Sequence, residues 1–244
     1  MNSIIKRVDL SRETFTFSHR NPLAEADQTT RDSVRRILKQ VRTEGWDGVR
    51  AASREFDNIE PEPSPVSADQ LQQQWNQLDQ PLRQSLRVAG DRIRRYQQSI
   101  LRRSRGISDG DGYLGEIDRP YERVGCYIPG GRFPLPSTVL MTALIAEVAG
   151  VNEIILCSPP GEKGPPNPVI QATTSLLEEA DLYWVGGVQA IGAMAYGAGP
   201  IDPVDLIVGP GNIYVTVAKK QVYGQVEIDM LAGPSEIAII AEEN

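Results

Sequence analysis

The sequence predicts an α/β protein built on a parallel sheet, and three observations predict it. Between Arg123 and Glu236 short apolar runs alternate with amphipathic ones. Four of the apolar runs (residues 123–128, 153–157, 182–185 and 205–208) end in Gly/Pro turns: Pro129-Gly130-Gly131, Pro159-Pro160-Gly161, Gly186-Gly187 and Gly209-Pro210-Gly211. A helical pattern follows each turn, as in a chain of βα units. The turns then fall at the carboxyl ends of neighbouring strands, where open α/β sheets bind their ligands. A dinucleotide or another small anion suits such a rim.

The elements before the sheet read as helices. Residues 1–28 form an irregular arm that holds the only histidine, His19, in a polar stretch typical of a surface residue. A helix starts at Thr29, capped by Thr29 or Thr30, with Val34, Ile37, Leu38 and Val41 as its apolar stripe and Gly45 as its end. A second helix covers residues 47–56. Pro61, Pro63 and Pro65 make a stiff turn that no helix can cross, and Ser67 caps a third helix running to Leu78. Pro81 opens the next helix, residues 81–103, at a first-turn position where its missing N–H costs little. Leu82, Leu86, Ala89, Ile93, Tyr96 and Ile100 give that helix one apolar face.

Arginines crowd its other faces, Arg83, Arg87, Arg92, Arg94 and Arg95 among them. In a chain of net charge −7 they read as a solvated face meeting acidic neighbours, and no aromatic interleaving marks a nucleic-acid surface. Residues 106–115 form a hairpin or turn, because Asp109-Gly110-Asp111-Gly112 lacks the later ligands and closing glutamate of a calcium loop. The sheet follows, then the segment Val226–Met230, the turn Ala232-Gly233-Pro234-Ser235 and an apolar strand from Glu236 to Ala241.

Composition excludes several classes. No apolar stretch approaches the ~18 residues of a membrane span, and residues 1–7 lack the apolar core of a secretion signal. A cytoplasmic location is expected. Cys126 and Cys157 both fall on predicted buried strands and read as reduced core thiols, with a disulfide between neighbouring strands as the alternative. With one histidine the chain is poorly stocked for a zinc site or for acid–base catalysis. No catalytic residue or metal ligand is assigned within it. The turn after the first strand lacks the Gly-x-Gly-x-x-Gly fingerprint, so a nicotinamide cofactor is expected to bind weakly.

Five blocks are nonetheless distinctive. They are Glu122-Arg123-Val124-Gly125-Cys126-Tyr127-Ile128-Pro129-Gly130-Gly131 with Pro136-Ser137-Thr138-Val139-Leu140-Met141; Val185-Gly186-Gly187-Val188-Gln189-Ala190-Ile191; Val208-Gly209-Pro210-Gly211-Asn212-Ile213-Tyr214-Val215; and Ile228-Asp229-Met230-Leu231-Ala232-Gly233-Pro234-Ser235-Glu236. In this order and spacing they resemble the histidinol dehydrogenase family. The N-terminal third matches it loosely. Arg132-Phe133-Pro134-Leu135 departs from the family's run after the Gly-Gly, and Glu227 stands where the family usually has glycine.

The resemblance implies a Rossmann-like parallel-sheet domain, residues 123–235, inserted into a second, incomplete Rossmann-like α/β domain. Residues 29–122 would be the helical N-terminal part of that second domain, and residues 236–244 the start of the return to it. It implies NAD contacts at Tyr127, Gln189 and Asn212 and a substrate contact at Ser235. The residues themselves leave local alternatives open: Asn212 as a helix N-cap, Gln189 as a first-turn polar residue, Ser235 as a turn or capping serine.

The family oxidises L-histidinol twice, through an aldehyde, to L-histidine, passing hydride to NAD. Its zinc ligands and its Glu-His acid–base pair would lie beyond Asn244. The resemblance therefore implies an N-terminal portion of a zinc- and NAD-dependent enzyme of histidine biosynthesis, a homodimer when intact and inactive as residues 1–244. The altered run at 132–135 keeps open a dehydrogenase of a related small alcohol, such as a sulfonated diol. A short non-catalytic paralogue that binds a nucleotide or a partner is the other alternative.

Overall fold

A computed structural model of the protein describes residues 27–130, 134–161 and 164–231. The N-terminal arm with His19, residues 131–133, Ser235 and the apolar strand from 236 to 241 lie outside the described residues.

Four helices come first: α1 (Gln28–Glu44), α2 (Trp46–Asp57), α3 (Ala68–Gln77) and α4 (Gln80–Ile100). The stripe expected for α1, Val34, Ile37, Leu38 and Val41, is buried. Its cap is Asp27 rather than Thr29 or Thr30: the carboxylate accepts the Thr30 N–H at 2.7 Å. An acidic cap also complements the positive end of the helix. Ser67 caps α3 as expected, accepting from the Gln70 N–H at 3.3 Å. Helix α4 stops at Ile100, short of Arg103, and its apolar face is covered only in part. Leu82, Leu86, Ala89 and Ile93 pack against the core, whereas Tyr96 and Ile100 are exposed. Of its arginines, Arg94 pairs with Glu147 at 2.8 Å and Arg87 lies over the Trp75 ring, as the solvated-face reading expects.

An antiparallel hairpin, β1 (Arg105–Ser108) and β2 (Tyr113–Glu116), occupies the Gly/Asp-rich segment, and every residue of both strands is exposed. The sheet follows: β3 (Arg123–Tyr127), α5 (Pro136–Met141), α6 (Ala143–Ala149), β4 (Glu153–Cys157), α7 (Pro168–Thr174), β5 (Asp181–Tyr183), α8 (Gly187–Tyr196), β6 (Leu206–Val208), α9 (Ile213–Val222) and β7 (Glu227–Ile228). All five strands are parallel, in the order β5-β4-β3-β6-β7. The chain enters at the central strand, winds outward to β5, then returns and winds outward the other way. This is the doubly wound arrangement, with its switch point between β3 and β6.

Helices cover both faces, so both side-chain parities of each strand are apolar. Val124, Cys126, Ile128, Ile154, Leu156 and Leu182 face a core completed by α3 to α7. Tyr127, Ile155, Cys157, Tyr183 and Ile207 face a second core completed by α1, α2, α8 and α9. The N-terminal helices thus split between the two faces. The exposed edge at β5 is partly closed where the Val66 N–H donates to the Leu182 carbonyl at 2.8 Å. Cys126 and Cys157 are free and buried on opposite faces, which excludes the interstrand disulfide.

Candidate functional site

Four strand-to-helix turns meet at the carboxyl end of the sheet, and the switch point opens between Tyr127 and Gly209. Gly209 has φ +113°, and a Cβ on it would fall 2.2 Å from the Tyr127 carbonyl oxygen. Only glycine combines that backbone with so close an approach to β3. The following turn brings Asn212 to the N-cap of α9, where its Oδ1 accepts the Val215 N–H at 3.1 Å. Asn212 is exposed, and its Nδ2 has no hydrogen-bond partner among the described residues.

Tyr127 sits beneath this rim, only 4% exposed. Its hydroxyl accepts the Gly187 N–H at 3.2 Å, joining β3 to the N-terminus of α8. Burial above all, with Asp57 and Cys157 nearby, pushes the phenol up to about 12 against the opposing pull of the Gly187 N–H. It is therefore a neutral hydrogen-bonding group at physiological pH. Gln189, on the first turn of α8, is 2% exposed. Its Nε2 donates to Asp57 Oδ2 at 2.9 Å and to Ser53 Oγ at 3.4 Å. Burial raises the Asp57 carboxyl above its ordinary value, and the Gln189 bond opposes that shift.

The geometry therefore brings Tyr127, Gln189 and Asn212 to one rim, and each also makes an internal contact there. Tyr127 and Gln189 converge on Gly187. Asn212 stands on the next helix N-terminus, beyond Gly209. Ser235 lies outside the described residues and is not placed with them.

Four residues that sequence reasoning missed belong to the same rim. Asp57 and Ser53 anchor Gln189. Lys219, buried within α9, sends its ammonium to the Gly209 carbonyl at 3.0 Å and to Asp229. Asp229 in turn accepts the Gly209 N–H at 2.8 Å. A lysine inside an otherwise apolar helix face was the one signal available for this pair, since buried charges are normally paired.

Whether the rim suits a dinucleotide can be judged from its chemistry. The N-termini of α8 and α9 both open toward it, and such ends favour anionic groups. The buried Ser158 hydroxyl, at the end of β4 and against Gly130, has no partner among the described residues. Both features fit a polar, negatively charged ligand. The competing cavity, of about 540 Å³, lies toward the amino ends of β4 and β5 and is lined by Glu153, Glu178, Asp181 and Asp202. Its acidic wall repels a pyrophosphate. Zinc is a different matter. No group of three or more His, Cys, Asp or Glu side chains converges to hold a metal ion among the described residues, so they do not fit the metal and none is assigned to them.

The family model for histidinol dehydrogenase matches residues 20–244. The chain belongs to the histidinol dehydrogenase family. It is 43% identical over 213 residues to the histidinol dehydrogenase of Methanocaldococcus jannaschii, a match covering 86% of this chain and 50% of that one. It is 42% identical over 214 residues to the Bacillus subtilis histidinol dehydrogenase, covering 87% and 50%. The crystal structure of histidinol dehydrogenase from Elizabethkingia anophelis superimposes with a TM-score of 0.80 at 35% identity, covering 86% of this chain and 49% of that one. The chain thus spans about half the length of the histidinol dehydrogenases it matches. The α/β fold with its parallel sheet agrees with this membership.

Proposed function

We propose that this chain carries the cofactor-binding part of an NAD-dependent enzyme that oxidises L-histidinol to L-histidine in histidine biosynthesis. The observation that carries the reading is the family match over residues 20–244; a doubly wound sheet with its switch point between β3, which ends at Tyr127, and β6, which leads to Asn212, supports it. Bound there, NAD supplies the acceptor for the hydride that leaves the alcohol carbon.

The chain's own residues bind and orient. The free Nδ2 of Asn212 donates to the cofactor while its Oδ1 keeps the helix cap. The N-terminal amides of α8 and α9 favour the pyrophosphate. Tyr127, neutral and buried, shapes the rim from beneath by fixing the start of α8 through the Gly187 N–H. Gln189 holds the start of α8 through Asp57.

Residues 123–235 act as one cofactor-binding unit inserted in a second Rossmann-like unit, and Ser235 contacts the substrate. The zinc ligands and the base that takes the alcohol proton come from outside residues 27–231. The working enzyme is a cytoplasmic homodimer.

The test replaces the matched half of the Bacillus subtilis histidinol dehydrogenase with residues 20–244 of this chain. NADH production from L-histidinol by the folded chimera supports the reading. A folded chimera that binds NAD, ignores histidinol and oxidises a sulfonated diol favours a related dehydrogenase. One that does not bind NAD overturns the reading.

A further inference from the structure

We propose that Lys219 and Asp229 are positioning residues of the cofactor rim, their ion pair holding the Gly209–Gly211 turn in the shape from which Asn212 faces the ligand. The inference rests on the reading of Asn212 as an NAD contact. Both peptide groups of Gly209 are captured by opposite members of one pair. Lys219 donates to its carbonyl at 3.0 Å and Asp229 accepts its N–H at 2.8 Å. Asp229 Oδ1 meets the Lys219 ammonium and also accepts the Met230 N–H at 2.6 Å, which fixes the carboxylate to the end of β7.

Lys219 is 2% exposed, among the apolar side chains of α9 that pack on the sheet. Burying a charge pair there gains little stability over an apolar side chain of the same size. What the pair does gain is direction. It clamps the residue that touches β3 at Tyr127, and three residues further on Asn212 opens α9. A shift of that turn moves the Nδ2 donor and the first amides of α9 together, and small misplacements of binding groups are costly.

The double variant Lys219→Met with Asp229→Asn removes the pair without stranding a charge and keeps the volume filled. Three readouts on residues 1–244 test it: thermal unfolding, NAD affinity by titration calorimetry, and amide hydrogen exchange of peptides covering residues 207–214. The expected result is a folded protein with a melting temperature close to the parent's. Its exchange at 207–214 is faster, and its NAD dissociation constant is raised about tenfold. Should the double variant fail to fold, Lys219→Met alone, which leaves only the partly exposed Asp229 carboxylate unpaired and frees the Gly209 carbonyl, must show the same exchange change in smaller measure.

Unchanged exchange at 207–214 in a folded variant overturns the inference. So does unchanged NAD affinity when Asn212→Asp weakens binding in parallel. If the parent itself shows no NAD binding, the functional reading fails, and the exchange measurement still decides the clamp.

Discussion

Gln189 Nε2 donates to Asp57 Oδ2 at 2.9 Å, tying the first turn of α8 to the last residue of α2. One bond thus connects the helical N-terminal region to the rim of the sheet. Because burial raises the Asp57 carboxyl above its ordinary 3.8, its ionised form is disfavoured in the folded state. The unfolded chain gives up this proton first. The Asp57 contribution to stability therefore falls as pH rises from the unfolded value through the raised folded one, and it is recovered on acidification. Asp57→Asn keeps an acceptor for Gln189 and abolishes the titration. Its stability relative to the parent should be constant near neutral pH and should decline as pH is lowered through the window just above 3.8. Denaturant unfolding of both proteins across that range checks it, and a difference independent of pH would show that Asp57 is not desolvated by folding.

Asn212 has two jobs that substitution can separate. Asn212→Ala loses the cap and should cost about 0.5–2 kcal/mol of stability as well as NAD binding. Asn212→Asp retains an Oδ1 cap for the Val215 N–H, favoured by the helix end, but has no donor and adds a negative charge beside a phosphate. It should unfold with the parent yet bind NAD at least about tenfold more weakly. If Asn212→Asp binds normally, the residue is a cap and nothing more.

Gly209→Ala places a Cβ 2.2 Å from the Tyr127 carbonyl with φ held at +113°. Strain and overlap together should destabilise the fold by more than about 3 kcal/mol. Gly110, also at positive φ but with open space around it, is the control, where alanine should cost about 1 kcal/mol. Comparable losses at the two sites would mean that the turn does not press on β3.

Cys126 and Cys157 should resist thiol reagents until the protein unfolds. Burial pushes Cys126 up to about 12 and Cys157 further in the same direction, so neither is a thiolate at neutral pH. Mass spectrometry after alkylation should find both thiols unmodified in the native state and both modified in denaturant. A disulfide between them would contradict their placement on opposite faces.

Four of the sheet's five strands were legible because each is an apolar run closed by Gly or Pro, and those turns are the chemical requirement of a sharp βα connection; the two-residue β7, Glu227–Ile228, carries no such mark. Strand order was not legible. Apolar runs on both parities, as in Val124 to Ile128, say only that both faces are covered. They do not say which neighbour a strand takes, so the switch point at Tyr127 and Gly209 emerged only in three dimensions. The capping role of Asn212 was readable from its place after Gly211. The Gln189–Asp57 bond was not, because α2 and α8 meet only through the tertiary fold. Asp27 capped α1 instead of Thr29 or Thr30: Asp and Thr both cap well, with Asp the stronger, and the helix begins one residue earlier than the apolar stripe suggests. The exposed half of α4 shows the same limit: a periodic stripe marks a face able to pack, yet Tyr96 and Ile100 remain exposed.

The central assignment is NAD at the switch point, and hydrogen exchange of residues 1–244 with and without millimolar NAD tests it most directly. Peptides covering residues 125–130, 185–190 and 207–214 should gain protection together, with a dissociation constant of about 100 µM or weaker, because the Gly-x-Gly-x-x-Gly loop is missing. Protection confined to the acidic cavity around Glu153 and Asp181, or none in any of the three segments at saturating NAD, would contradict the assignment.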